Sequence, residues 1–112
     1  MAQTVHVEGV PVIQVEGQID LDNYVEVHDL ILEELRVGRP RIVLNLRKLD
    51  FLDSTMLGML LRSLDTCRRE GGALVVVTNP TVDRVLSLTG LTNLFELFSS
   101  ETEALSSFSP AT

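Results

Sequence analysis

A strand and a helix meet in the segment Leu49-Asp50-Phe51-Leu52-Asp53-Ser54-Thr55-Met56-Leu57-Gly58. Its first residues have the apolar character of a strand, and the first helical turn that follows carries Asp53, Ser54 and Thr55. An Asp or Ser at this point caps the free amides of a helix start, and the positive end of the helix dipole favours an added anionic group. The segment therefore predicts either a simple N-cap or a hydroxyl, that of Ser54, placed for phosphorylation.

The composition predicts one globular domain. The chain has 112 residues, of which 45% are hydrophobic and 22% charged, and this is enough for a single core. Its formal charge of −7 disfavours nucleic acids and anionic membrane surfaces as partners. Because the sequence shows neither a signal peptide nor an apolar run of about 18 residues, we expect a soluble, cytoplasmic protein. The domain is expected to span residues 1–108, with 109–112 as a frayed tail.

The order of the predicted elements is that of an α/β fold. Two short β-rich runs open the chain and are expected to pair antiparallel across a tight turn at Glu8-Gly9. Apolar residues at helical spacing then alternate with nearly continuous apolar runs, which are typical of strands covered on both faces. The predicted strands are 5–7, 12–15, 41–46, 73–77 and 95–98, and the predicted helices are 23–37, 54–70, 80–90 and a short one after Ser100. We therefore expect a single domain with a mixed central sheet of about five strands, the strand at 41–46 in its centre, and about four helices.

Four aspartates near the predicted strand ends could be taken for a metal or phosphoaspartate pocket. Asp22 and Asp53 are better explained as helix caps and Asp50 as a turn residue, which leaves only Asp20 without a local role. The single Cys67 excludes a Cys-x-x-Cys motif and is expected to be a small buried hydrophobe. We predict neither a metal nor a cofactor.

The sequence contains no evident catalytic arrangement. A nucleophile at Ser54 would need a base, yet His6 and His28 are expected on an edge strand and on a helix face. No Gly-rich loop precedes a Lys-Ser or Lys-Thr pair. A catalytic triad is therefore not expected, and nucleotide hydrolysis has no support in the sequence.

The second predicted helix has an outward face with room for a partner. This face is formed by Ser54, Gly58, Arg62 and Asp65, at spacings of four, four and three. A glycine inside a helix costs about 1 kcal/mol relative to alanine, so Gly58 predicts close approach of another backbone or tight internal packing. Met56 and Met59 exceed what the core stripe of leucines requires, which favours either a protein contact or surplus core residues.

Five motifs in register resemble the STAS family, specifically the bacterial anti-anti-sigma factors (anti-sigma factor antagonists). The matching segments are Gly17-Gln18-Ile19-Asp20, Ile42-Val43-Leu44-Asn45-Leu46, Phe51-Leu52-Asp53-Ser54-Thr55-Met56-Leu57-Gly58, Gly71-Gly72 before a Val-rich strand, and Leu88-Thr89-Gly90-Leu91 before Phe95. Each motif is weak alone, but together they span nearly the whole chain in order.

The resemblance implies a small switch that is not an enzyme, binds an anti-sigma factor of the serine-kinase type and so frees a sigma factor for transcription. The serine that this kinase phosphorylates in the family falls on Ser54, with Thr55 as an alternative acceptor, and the early aspartate that helps engage the kinase falls on Asp20. A serine/threonine phosphatase usually resets such switches. We expect the partner-binding surface to comprise Asp20, Asp53, Ser54, Thr55, Met56, Gly58, Met59 and Arg62.

The chain departs from the family pattern at Met56, where glycine is usual, and at Asn45, where aspartate is usual. These departures predict a less accessible loop or an atypical partner. A STAS scaffold or complex subunit, whose binding is independent of phosphorylation, is the main alternative. A small ligand- or nucleotide-binding domain, with a metabolite near Asp20 and Asp53, ranks lowest because no basic or Gly-rich feature would hold phosphates.

Overall fold

Five strands form one mixed sheet in the computed structural model, which describes residues 1–39 and 41–108. They are β1 (Ala2–Val7), β2 (Val10–Ile19), β3 (Arg41–Leu52), β4 (Ala73–Val77) and β5 (Glu96–Phe98). Each strand lies beside its neighbours in the chain, β1 antiparallel to β2 and every later pair parallel. The predicted α/β class, the mixed sheet and the central position of β3 are confirmed.

Four α-helices accompany these strands within the described residues. They are α1 (Tyr24–Arg36), α2 (Ser54–Arg69), α3 (Pro80–Leu88) and α4 (Glu101–Ser106). A short 3-10 turn at Thr92–Leu94, which was not predicted, precedes β5. The strands β2 and β3 run further than predicted, to Ile19 and Leu52. The predicted tail 109–112 lies outside the described residues.

A two-residue turn joins β1 to β2. Glu8 and Gly9 have φ angles of 52° and 81°, so both adopt the left-handed conformation of a type I′ turn. Val7 and Val10 close the antiparallel ladder on either side of it. Gly9 adopts this conformation at no steric cost because it has no Cβ. The predicted tight turn is confirmed.

Two hydrophobic cores lie on opposite faces of the sheet. The larger core joins the sheet to α1, α2 and α3, and the smaller one lies under α4. Adjacent strand residues alternate between them, so that Leu44 belongs to the larger core and Val43 to the smaller. Burial on both faces explains why β3 and β4 have nearly continuous apolar sequences.

Glu34 on α1 is a buried carboxylate that the apolar pattern did not identify. Its Oε1 lies 2.5 Å from His6 Nε2 on the edge strand β1, and its Oε2 lies 3.7 Å from Arg39. A buried carboxylate is costly without such partners. This cluster therefore ties the edge of the sheet to α1.

Side-chain caps begin three of the helices as predicted. The bonds are Met56 N to Asp53 Oδ1, Val82 N to Asn79 Oδ1 and Glu103 N to Ser100 Oγ. The capping prediction for Asp22 is wrong, because the N-cap of α1 is Asn23, whose side chain instead accepts from Asp20 N. The turn prediction for Asp50 is also wrong, since this residue lies within β3.

Two irregularities lengthen β3 relative to β2. Between shared register points, β2 advances from Gln14 to Gln18 while β3 advances from Asn45 to Phe51. The strand therefore bulges twice past the end of its pairing with β4. Asn79 Nδ2 lies 3.2, 3.0 and 2.8 Å from the carbonyl oxygens of Leu46, Arg47 and Leu49. One side chain thus caps α3 and also shares its two N–H donors among the carbonyl groups of the bulged backbone of β3.

We expect Asn79→Asp to lower the free energy of unfolding by about 1–3 kcal/mol. The substitution keeps an oxygen to cap α3, but it removes the donor and turns a carboxylate toward three carbonyl oxygens. Urea unfolding monitored by circular dichroism measures the effect. Ser100→Ala, which removes a cap alone, is the comparison and should cost about 1 kcal/mol. An unchanged Asn79→Asp protein would show that the amide does not support β3.

Candidate functional site

The candidate site lies where β2 and β3 end. These strands are parallel, with Ile19 opposite Leu52, so the next residues, Asp20 and Asp53, leave the sheet at the same edge. Ser54 then begins α2 at this edge. Residues far apart in sequence are therefore neighbours here because the carboxyl ends of parallel strands coincide.

The start of α2 is held by Asp53. Its backbone is extended, with φ of −99° and ψ of 179°, and its Oδ1 accepts a hydrogen bond of 2.9 Å from Met56 N. Its carbonyl accepts from Leu57 N at 3.0 Å. Because this cap uses Asp53, the hydroxyl of Ser54 is free of a capping role and its residue is exposed.

The outward face predicted for α2 is confirmed as a surface. Ser54, Arg62 and Asp65 are exposed, and Gly58 is half-buried. Thr55, the alternative acceptor, is also half-buried. The face thus offers the exposed hydroxyl-bearing residue Ser54 at the positive end of the helix dipole.

The expectation that Met56 and Met59 lie at an accessible surface is wrong. Both residues are 0% exposed and belong to the larger core, so the alternative explanation as core methionines is the one the structure supports. They lie at three- and four-residue spacings from Leu60 and Ser63, and all four residues are on the buried side of α2. Ser54 is exposed even though residue 56 is a methionine here and not the glycine that is usual in the family.

Gly58 is not explained by packing within the chain. A Cβ built at this position meets only the Nη1 atom of Arg62, at 3.3 Å. No backbone approaches it closely among the described residues. The absence of a side chain therefore leaves a track along α2 that the guanidinium group of Arg62 covers.

The loop after β2 holds itself in place with its own side chains. Asp20 Oδ1 accepts from Asp22 N at 2.9 Å, and Asn23 Oδ1 accepts from Asp20 N at 2.8 Å. Asn23 Nδ2 also donates to the carbonyl of Gln18 at 3.0 Å. Asp20, which had no local role in the sequence, thus has one as an Asx-turn residue.

Two exposed apolar residues at this edge were missed by the sequence reasoning. Leu21 is 69% exposed in the loop after β2, and Phe51 is 45% exposed near the end of β3. The sequence could have indicated that Leu21 is exposed, because this residue lies between two aspartates and off the apolar stripe of α1. Exposed apolar side chains beside charged ones are a usual composition for a protein-binding surface.

Asn45 lies on the opposite face of the sheet from α2. Its Nδ2 donates to Glu101 Oε2 on α4 at 2.5 Å, and Gln14 Nε2 donates to the same oxygen at 2.9 Å. These side chains line a cavity of about 230 Å³, which neither Asp20 nor Asp53 lines. The departure from the family pattern at this position is therefore accommodated by α4, away from Ser54.

The described part of the chain shows neither a metal-binding cluster nor a reactive cysteine. Residues 1–39 and 41–108 contain no group of three or more His, Cys, Asp or Glu side chains arranged to hold a metal ion. Burial raises the pKa of the Cys67 thiol to about 11, so this cysteine is a core residue and a poor nucleophile. None of the described helices has both the length and the apolar character needed to cross a membrane.

Asn45→Asp is expected to lower the free energy of unfolding by about 1–3 kcal/mol at pH 7. The change replaces a donor to Glu101 with a second carboxylate. The repulsion between the two carboxylates disappears once one of them is protonated, so the loss should shrink as the pH falls toward about 4. Urea unfolding at several pH values measures this. Adding Glu101→Gln should restore part of the stability, and a double variant no more stable than Asn45→Asp would contradict the interpretation.

Comparison with known proteins identifies the fold family. The family model described as STAS domain matches residues 1–104. The anti-sigma F factor antagonist of Paenibacillus polymyxa is 30% identical over 102 residues, covering 89% of this chain and 87% of its own length. The crystal structure of TM1081 from Thermotoga maritima superposes with a TM-score of 0.86 at 25% identity, covering 95% of this chain and 92% of that one. The crystal structure of an anti-sigma factor antagonist from Mycobacterium paratuberculosis has a TM-score of 0.85 at 28% identity, covering 96% and 92%. The chain belongs to the STAS domain family.

Proposed function

We propose that this protein is an anti-sigma factor antagonist that binds a serine-kinase anti-sigma factor and is switched off by phosphorylation of Ser54. The observation that carries the proposal is the exposed Ser54 at the start of α2, one turn before the track at Gly58. The relative from Paenibacillus polymyxa, named as an anti-sigma F factor antagonist, supports the same function. Binding to the anti-sigma factor would release a sigma factor for transcription, and this exchange would take place in the cytoplasm.

The partner is expected to pack along α2 where Gly58 has no side chain. A backbone or a flat side chain of the partner can approach the helix closely at this position. Leu21 and Phe51, exposed at the same edge of the sheet, would supply apolar contact area. Since this chain carries a formal charge of −7, the complementary surface of the partner should be basic.

Phosphorylation would act through charge and size. It adds a charge of about −1.5 to −2 and three acceptor oxygens at the helix N-terminus, where the dipole tolerates them. Asp20 and Asp53 leave the sheet at the same edge, so the new group adds to an acidic surface. Binding would therefore be lost while the fold survives, and a serine/threonine phosphatase would restore the active form.

Ser54→Asp is expected to weaken binding to the partner by at least about tenfold, whereas Ser54→Ala should bind like the wild type. The partner is captured from the lysate of the source cell, identified by mass, and titrated by calorimetry. Ser87→Asp, which adds the same charge at an exposed position of α3, is the matched control and should bind normally.

The same preparations test the modification. Incubation with the captured partner and ATP should add one phosphate to the wild type and to Thr55→Ala, and none to Ser54→Ala, as measured by intact mass. Phosphate on Ser54→Ala but not on Thr55→Ala would assign Thr55 as the acceptor. Partners that bind irrespective of Ser54, together with no phosphate on the wild type, would assign the protein to the scaffold class of STAS domains.

We expect Gly58→Ala to stabilise the fold and to weaken binding to the partner. The only obstacle to the new methyl group is the end of the flexible Arg62 side chain, so the free energy of unfolding should rise by up to about 1 kcal/mol. Binding to the captured partner should nevertheless weaken, because the methyl group fills the track. Urea unfolding and calorimetry measure the two effects. Undiminished binding by this variant would place the contact surface away from Gly58.

A further inference from the structure

Arg62 extends along α2 toward the site of modification. Its Nη1 atom lies 3.3 Å from the point that a Cβ of Gly58 would occupy. Side chains on a helix lean toward its N-terminus, so the guanidinium reaches back one turn from its own backbone toward Ser54. Gly58 makes this possible because a larger residue would occupy the same space.

The guanidinium of Arg62 has no carboxylate within ion-pair distance among the described residues. Asp65, which shares the outward face, pairs instead with Arg69 Nη2 at 2.8 Å. The position of Arg62 over Gly58 is therefore not explained by an existing ion pair, and its charge is available to a new anion.

The spacing along the helix places this charge within reach of a group on Ser54. Side chains four residues apart on a helix have Cβ atoms about 5–6 Å apart, and the guanidinium already lies at the Gly58 position. A phosphate on Ser54 would extend its side chain and present three acceptor oxygens across this gap. Guanidinium and phosphate groups form charge-assisted, frequently bidentate hydrogen bonds.

We propose that Arg62 is a positioning residue for phosphorylated Ser54, pairing with the phosphate within the same chain and holding it along the track over Gly58. This inference rests on the proposed function, since it concerns the phosphorylated form of the same site. The pair places the phosphate on the surface that the partner would use, so it blocks the track by occupancy as well as by charge. It also offsets the repulsion that Asp20 and Asp53 impose on the phosphate.

The test uses full-length protein in which phosphoserine is incorporated at position 54 during translation, so that no kinase is needed. Phosphorus NMR across a pH series measures the second pKa of this phosphoserine, which is about 6 when unperturbed. Arg62→Gln is expected to raise that pKa by about half a unit relative to the otherwise unchanged phosphoprotein, the size of an exposed ion pair. Arg62→Lys should recover part of the difference, and Arg69→Gln, which removes a charge from the far end of α2, should leave the pKa unchanged.

Each result decides the inference. Equal titration curves with and without Arg62, or equal shifts for Arg62→Gln and Arg69→Gln, would overturn the pair, because a general charge effect would then suffice. Arg62 is exposed, and circular dichroism verifies that each variant is folded. A kinase assay that leaves Ser54 unmodified would overturn the proposed function separately, without changing the titration of the incorporated phosphoserine.

Discussion

The pairing of β3 with β2 and β4 positions every other feature of the molecule. The first half of β3 is buried on both faces and hydrogen-bonded to a strand on each side. The strand then continues beyond the end of its pairing with β4, as far as Leu52. The two bulges displace its backbone from the ladder, and Asn79 at the start of α3 satisfies the carbonyl groups left there. Because unpaired backbone groups are costly, this contact supports the irregular segment of β3 that leads to Leu52 and to the start of α2.

An exposed serine at the N-terminus of a capped and well-packed helix suits a switch that works by charge. The cap by Asp53 and the buried face of α2 secure the helix, while the Ser54 hydroxyl takes part in none of the hydrogen bonds of the described residues. Under the proposed function, a phosphate would therefore change the surface and leave the core packing intact. The acidic edge and the guanidinium of Arg62 would then decide the environment of that phosphate.

Local signals were sufficient for three helix caps and one turn, although they failed for the cap at Asp22 and the turn at Asp50. The caps by Asp53, Asn79 and Ser100 and the turn at Gly9 depend on residues within about four positions of one another. The methionine prediction failed for a different reason. Met56 and Met59 lie at helical spacing from the buried residues of α2, so their periodicity favoured the core, whereas the softness of the methionine side chain suggested a protein contact.

The sequence by itself determined the order of strands and helices, the family resemblance and the identity of the serine at the start of α2. Its apolar periodicity and capping residues act through short-range hydrogen bonds and side-chain directions, which are properties of neighbouring residues. Only the tertiary structure decided that Asp20 and Asp53 leave the sheet at the same edge, that Asn45 faces α4 and that Arg62 covers Gly58. The first two arrangements depend on register and bulges between strands distant in the chain, and the last depends on the rotamer that an exposed side chain adopts where its neighbour has no Cβ.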